Sequence, residues 1–146
     1  MINEKQMNIL DVKEGVIFHG VNCKGVMGSG LAIQIRETYP IVFEKYREFL
    51  KETSNPLGAV QIVQVSETLQ VGNVFSQSNY GRVKEIRYVS YDALDNAFRS
   101  IKASFGKDVP LYFPLIGAGL ANGNWKIIFQ MIVEHLSEHN VTIVYQ

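Results

Sequence analysis

The sequence predicts an α/β domain, and three observations carry that prediction. The spacing of apolar residues switches repeatedly along the 146 residues between alternating, strand-like runs and helical runs. Glycine-rich stretches fall where strands give way to helices, the usual place for a ligand loop in an open α/β sheet. The length suits one domain with a sizeable core of its own, so residues 1–146 are read as a single domain with one site.

Each element has its own signal. "MNILDV" (7–12) is a possible first strand, and "VIFHGVN" (16–22) is a clearer one, rich in β-branched and aromatic residues. A helix is expected to start near Gly30 and to stop before Pro40, because proline disfavours helix in the residue before it. Proline is tolerated in a first helical turn, so Pro40 can open the next helix, whose inner face is Val42, Tyr46, Phe49 and Leu50. "AVQIVQV" (59–65) and "VGNVFSQ" (71–77) read as strands. Leu94, Ala97, Phe98, Ile101 and Phe105 mark a third helix. "LYFPLIG" (111–117) is a strand leading into glycines. Trp125, Ile128, Phe129, Ile132, Val133 and Leu136 then mark a fourth helix with Asn124 as its N-cap, and "VTIVYQ" (141–146) closes the chain as a strand.

Composition excludes several classes of function. Fourteen basic residues balance fourteen acidic ones without a run of either sign, so a nucleic-acid partner is not favoured. No apolar run is long enough to span a membrane. A lone cysteine, Cys23, and the absence of a secretory signal pattern point to a reducing, cytoplasmic location. The sequence gives no indication of oligomeric state and calls for no cofactor or metal. "HLSEH" (135–139) does fit a zinc-peptidase pattern, but no candidate third ligand follows it. Histidines near a helix C-terminus also interact well with the helix dipole.

Chemistry is expected around "GVMGSGLA" (25–32) and "GAGLANG" (117–123). Glycine lets the backbone approach an anion closely, and a following helix N-terminus supplies free N–H donors. Neither stretch completes G-x-G-x-x-G, since Ile33 and Asn122 stand where the third glycine would be. His19 and Asn22 flank the first stretch, and on a regular strand they would point to opposite faces. His19 is either a strand histidine satisfied by backbone groups or a general acid or base. Asn22 either anchors a ribose hydroxyl or a water, or caps the glycine turn. Ser76, Gln77, Asn79 and Tyr80 can line a cleft or form a turn, and Cys23 reads better as a small hydrophobe than as a nucleophile.

Together, "HGVNCKGVMGSGLAIQI", "FPLIGAGLANGNW" and the terminal "VTIVYQ" resemble, in order and over most of the chain, the macro domain family, which binds ADP-ribose. The His-x-x-Asn spacing of His19 and Asn22 most resembles the branch of ADP-ribose-1''-phosphate phosphatases. "GVMGSGLA" is also similar to the DNA and terminal protein ADP-ribosylglycohydrolases. The resemblance implies a three-layer α/β/α fold with a central mixed sheet and a small-molecule ADP-ribose derivative at its C-terminal edge. Asn8 stands where many members have an aspartate that accepts from the adenine amino group, with Ile9 and Tyr145 as neighbouring contacts. The distal ribose would meet Asn22 and Gly28, Ser29, Gly30 and Leu31. The pyrophosphate would be held by backbone donors of Ser29, Gly30, Gly117, Ala118, Gly119 and Leu120.

The resemblance also implies hydrolysis of ADP-ribose-1''-phosphate to ADP-ribose and phosphate, with His19 and Asn22 as the catalytic pair. The terminal glycohydrolases use a lysine after the central strand and an aspartate in the second loop. Here "NVFSQSNYG" has no lysine and Ala121 replaces the aspartate, which argues against a covalent lysine route. The alternatives are a non-catalytic ADP-ribose reader and a hydrolase acting on modified protein or nucleic acid, for which Lys24, Arg82 and Lys84 could help.

Overall fold

The computed structural model describes residues 2–146. Its elements run β1 (Ile2–Gln6), a 3-10 turn (Ile9–Asp11), β2 (Gly15–Asn22), α1 (Gly30–Thr38), α2 (Pro40–Glu52), β3 (Val60–Gln64), β4 (Leu69–Gln77), α3 (Tyr91–Ser104), β5 (Leu111–Phe113), α4 (Trp125–Leu136) and β6 (Val141–Tyr145). The strands form one six-stranded sheet in the order β1-β6-β5-β2-β4-β3. Every neighbouring pair is parallel except β3 with β4, so the sheet is mixed, as expected.

Alternation along β2 sends side chains to two apolar layers. Val16 and Phe18 join Leu94, Phe98, Ile128 and Ile132 under α3 and α4. Ile17 and Val21 join Ile35, Val42 and Tyr46 under α1 and α2. Covering both faces of β2 leaves its last residues at a buried sheet edge, where the loops after β2, β4 and β5 converge.

The helix boundaries follow their caps. Ser90 accepts from the Ala93 N–H at 3.1 Å and starts α3, and Asn124 accepts from the Lys126 N–H at 2.9 Å and starts α4. Pro40 is the first residue of α2, and α1 ends two residues before it.

Two sequence expectations are corrected, and one strand was not expected. "MNILDV" is not a strand: Asn8 caps the short 3-10 turn by accepting from the Leu10 N–H at 3.0 Å. The first strand lies earlier, in the polar "INEKQ", an edge strand whose side chains carry no buried alternation. The strand expected over 111–117 stops at Phe113, because Pro114 has no N–H to continue the ladder.

Candidate functional site

A cleft of about 810 Å³ opens at the C-terminal edge of the sheet. Its lining comes from the end of β2 and the loop after it (His19, Gly20, Asn22, Gly28, Ser29, Gly30), from the end of β4 and its loop (Ser76, Gln77, Tyr80, Arg82), and from the loop after β5 (Leu115, Gly117, Gly119, Leu120, Ala121). The two glycine stretches singled out in the sequence therefore face one another across one cavity.

Asn22 sets the first loop. The β2–β4 register shifts between Val21 and Asn22, with Ser76 as the extra residue on β4, and His19 and Asn22 both line the cleft. The Asn22 amide Nδ2 donates to the Val26 carbonyl at 2.8 Å, and its Oδ1 accepts from the Lys24 and Val26 N–H groups at 2.9 and 3.4 Å. The Tyr46 hydroxyl, rooted in α2, lies 2.8 Å from both Asn22 oxygens and donates between them, while accepting from the Gly25 N–H at 3.1 Å. Burial pushes the Tyr46 phenol up to about 12, so it keeps that donor proton. Most of the amide's bonding capacity is spent on turning the chain. Sequence reasoning saw Tyr46 only as a core residue of α2, since nothing local links it to a loop more than twenty residues away.

The second loop is set by close packing. Gly117 has φ +77°, and a Cβ there would lie 2.9 Å from Val89 Cγ2. A Cβ on Gly123 would strike the Gly117 carbonyl oxygen at 2.5 Å. Asn122, standing where a third glycine was missing, takes φ 61°, a left-handed conformation asparagine tolerates better than most residues. Its Nδ2 donates to the Val83 and Ile86 carbonyls at 3.0 and 2.8 Å, tying the β4–α3 loop to the glycine loop.

The cleft floor holds two polar groups of unusual standing. His19 is buried and pairs Nε2 with Asn73 Oδ1 at 2.6 Å across the β2–β4 ladder, leaving Nδ1 without a hydrogen-bond partner. Burial holds its imidazole down to about 4 against the opposing Asn73 hydrogen bond, so it is neutral at pH 7. Ser76 is fully buried with its hydroxyl also unpartnered, and Gly20 opposite leaves the space, since a Cβ there would come within 2.7 Å of it. A buried polar atom left unpaired costs on the order of 1–3 kcal/mol, and such sites are where ligands supply the missing partner.

The structure does not bring all the expected residues together. Gly28, Ser29, Gly30, Leu31, Gly117, Gly119 and Leu120 line the cleft with His19 and Asn22, whereas Ala118, Asn8, Ile9 and Tyr145 lie outside its lining. Ile9 is buried in the core under α1 and α2, Asn8 caps its own turn, and Tyr145 is 44% exposed at the end of β6. Asn8, Ile9 and Tyr145 still gather at one place, the C-terminal ends of β1 and β6, where the Met7 N–H donates to the Tyr145 carbonyl at 2.9 Å. Of the polar loop residues, Ser76, Gln77 and Tyr80 line the cleft and Asn79 does not; Arg82 does, while Lys24 and Lys84 do not.

Away from the cleft, His135 pairs with Asp95 at 2.7 Å and His139 Nε2 donates to the Phe105 carbonyl at 3.0 Å. Among the described residues no three His, Cys, Asp or Glu side chains converge as a metal site, and no helix is long and apolar enough to cross a membrane.

No protein-family model matches the sequence. Individual proteins do. An uncharacterized 17.5 kDa protein of Enterobacteria phage T4 is 28% identical, over 88% of this chain and 84% of its own length. The ADP-ribose 1''-phosphate phosphatase of Meyerozyma guilliermondii is 25% identical, over 88% of this chain and 89% of its own. The DNA ADP-ribosyl glycohydrolase of Mycobacterium tuberculosis is 24% identical over 91% of this chain, which spans only 38% of that protein.

Solved structures agree on the fold. A protein of unknown function from Bacteroides thetaiotaomicron is 28% identical with a TM-score of 0.87, covering 100% of this chain and 98% of that one. The macrodomain of Mycobacterium tuberculosis DarG is 20% identical with a TM-score of 0.82, covering 100% and 98%. Thermosipho africanus DarTG, solved in complex with ADP-ribose, is 17% identical with a TM-score of 0.81, covering 99% of this chain and 42% of that one. The architecture is thus an α/β macrodomain, a mixed six-stranded sheet flanked by helices. With its paired loops, the chain is similar in sequence and in fold to these macrodomain proteins.

Proposed function

We propose that the protein binds ADP-ribose across this cleft and hydrolyses ADP-ribose-1''-phosphate to ADP-ribose and phosphate. The observation that carries the reading is the meeting of two glycine loops over a floor where a neutral, buried histidine keeps one nitrogen unpartnered. Backbone N–H groups from Ser29 and Gly30 at the start of α1, and from 117–120, stabilise the pyrophosphate and the phosphate under attack. The distal ribose lies against Asn22 and the segment from Gly28 to Leu31. Asn8, Ile9 and Tyr145 receive the adenine end, beyond the cleft proper.

In this reading a water oxygen bonds to phosphorus while the bond to O1'' breaks. The water proton passes through His19 Nδ1 to the departing O1'', so the histidine ends as it began. An imidazole held near 4 gives that proton up readily and is not a standing acid at pH 7. Asn22 acts through the loop it pins. The cleft lining contains Arg82 but no lysine among the described residues, which disfavours a covalent lysine route.

Phosphate release from ADP-ribose-1''-phosphate by wild type and His19→Ala, with ADP-ribose binding followed by calorimetry, tests the reading. Release by wild type, with binding but no release by the variant, supports it. Binding by both with release by neither favours an ADP-ribose reader. A second reading, removal of ADP-ribose from nucleic acid, draws on the half-exposed Tyr80, Leu115 and Leu120 at the cleft beside Arg82. Release of ADP-ribose from a modified oligonucleotide, without phosphate release from the small substrate, would establish it instead.

A further inference from the structure

His19 is oriented by a chain of amides that leads away from the cleft, and the chain can be read from its far end. The Lys45 backbone carbonyl in α2 can only accept, so the Gln61 atom 2.8 Å from it is Nε2. Gln61 Oε1 then faces Asn73 and accepts from Nδ2 at 3.0 Å. That leaves Asn73 only its Oδ1 to present to His19 Nε2, at 2.6 Å. An amide oxygen accepts and cannot donate, so Nε2 carries the imidazole proton and Nδ1 holds the lone pair.

Every link is forced by the one before it. Asn73 is fully buried, and its place in "VGNVFSQ" is one where the alternation of β4 calls for an apolar residue, like Val71 and Phe75 on the same face. A valine there would pack as well and leave His19 free to choose its tautomer. We propose that Asn73 and Gln61 are positioning residues that lock His19 as the Nε2–H tautomer, so that its buried Nδ1, at a residue that lines the cleft, is kept as an acceptor. The effect on turnover rests on the phosphatase reading above, whereas the tautomer is a property of the free protein.

The experiment is nitrogen NMR of histidine-labelled protein at pH 7, with His19 assigned by its loss in His19→Ala, on wild type, Asn73→Leu, Gln61→Leu and Gln61→Glu. Wild type should show a protonated Nε2 and an unprotonated Nδ1. Gln61→Leu, at a half-buried position, should fold and give a mixture, because Asn73 is then free to turn its amide over. Gln61→Glu keeps an acceptor toward Asn73 and should restore the single tautomer. On the phosphatase reading, Gln61→Leu should also lose about tenfold or more in kcat/KM while its affinity for ADP-ribose holds, since general-base assistance is commonly worth at least that much.

A protonated Nδ1 in wild type overturns the proposal, and so does an unchanged tautomer in folded Gln61→Leu. Asn73→Leu adds a second, stronger perturbation where it folds, and Gln61→Leu decides alone where it does not. A locked tautomer in a wild type that releases no phosphate removes the phosphatase reading and leaves the lock standing.

Discussion

The two loops that face each other across the cleft reach similar ends by opposite means. The loop after β2 is held by polar bonds: Asn22 and Tyr46 between them engage the backbone at Asn22, Lys24, Gly25 and Val26. The loop after β5 is held at its ends by lack of room, with Gly117 and Gly123 packed where any Cβ would meet Val89, Ile128 or backbone, and Asn122 adds two hydrogen bonds to the β4–α3 loop. In the first loop, a Cβ on Gly30 would meet nothing within 4 Å, and one on Gly28 would make only an ordinary contact with Val26. The first loop should therefore tolerate added bulk at Gly28 and Gly30 and suffer from lost hydrogen bonds, and the second should suffer most from bulk at Gly117 and Gly123.

The largest effect is expected where bulk meets backbone. Gly123→Ala places a methyl 2.5 Å from the Gly117 carbonyl oxygen, a clash no side-chain rotation relieves. A destabilisation of about 3 kcal/mol is expected from overpacking of this kind. Urea unfolding at constant m-value measures it, and a loss below about 1 kcal/mol would mean the second loop is softer than its packing implies.

Acid should break the floor between the loops next. His19 sits near 4 when folded against 6.5 for the free side chain, so between those values the unfolded chain binds the extra proton. Its contribution is fully present above 6.5 and is lost as pH falls from 6.5 toward 4, by about 3 kcal/mol in all. Unfolding free energies across that window should fall in wild type and flatten in His19→Gln. Asp95 and Glu138, whose carboxyls are held below their ordinary values of 3.8 and 4.5 by hydrogen bonds from His135 and Lys107, begin to lose their contributions only as pH falls through those values, so most of the window from 6.5 toward 4 is left to His19.

Tyr46→Phe tests the polar loop. It removes one oxygen with little change in shape, leaving the Gly25 N–H and both Asn22 oxygens short of a partner. A cost of about 2 kcal/mol is expected, with faster amide exchange at 23–26 and little change at 117–123. Equal exchange in both loops would show that they move as one unit and that the contrast between them is only static.

Of the residues tested, Tyr46 is the one the sequence hid. The α4 helix was legible because its stripe and its cap, Asn124, lie within a dozen residues of one another. The glycine loops were legible for the same local reason. Tyr46, Asn73 and Gln61 were not, since each acts on a residue brought near only by the pairing of β4 with β2 and with β3 or by the packing of α2 on the sheet. Asn73 did leave a trace, an amide in an otherwise buried strand, and that is the kind of local inconsistency that marks a site. The edge strand β1 left none, because a strand exposed along most of its length needs no apolar alternation.

Gly30→Ala gives the smallest expected change in stability and separates the fold from the ligand most cleanly. Nothing stands within 4 Å of the new methyl, so the only structural cost is φ +59°, about 1 kcal/mol for a residue other than glycine. The same methyl projects from the first residue of α1 on the lining of the cleft, where an anion must approach the backbone closely to use its N–H groups. ADP-ribose affinity should therefore fall by more than stability does, with calorimetry and urea unfolding run on the same preparation. Affinity that holds while stability drops would place the pyrophosphate on the second loop alone, and the emptiness around Gly30 would then serve only the turn into α1.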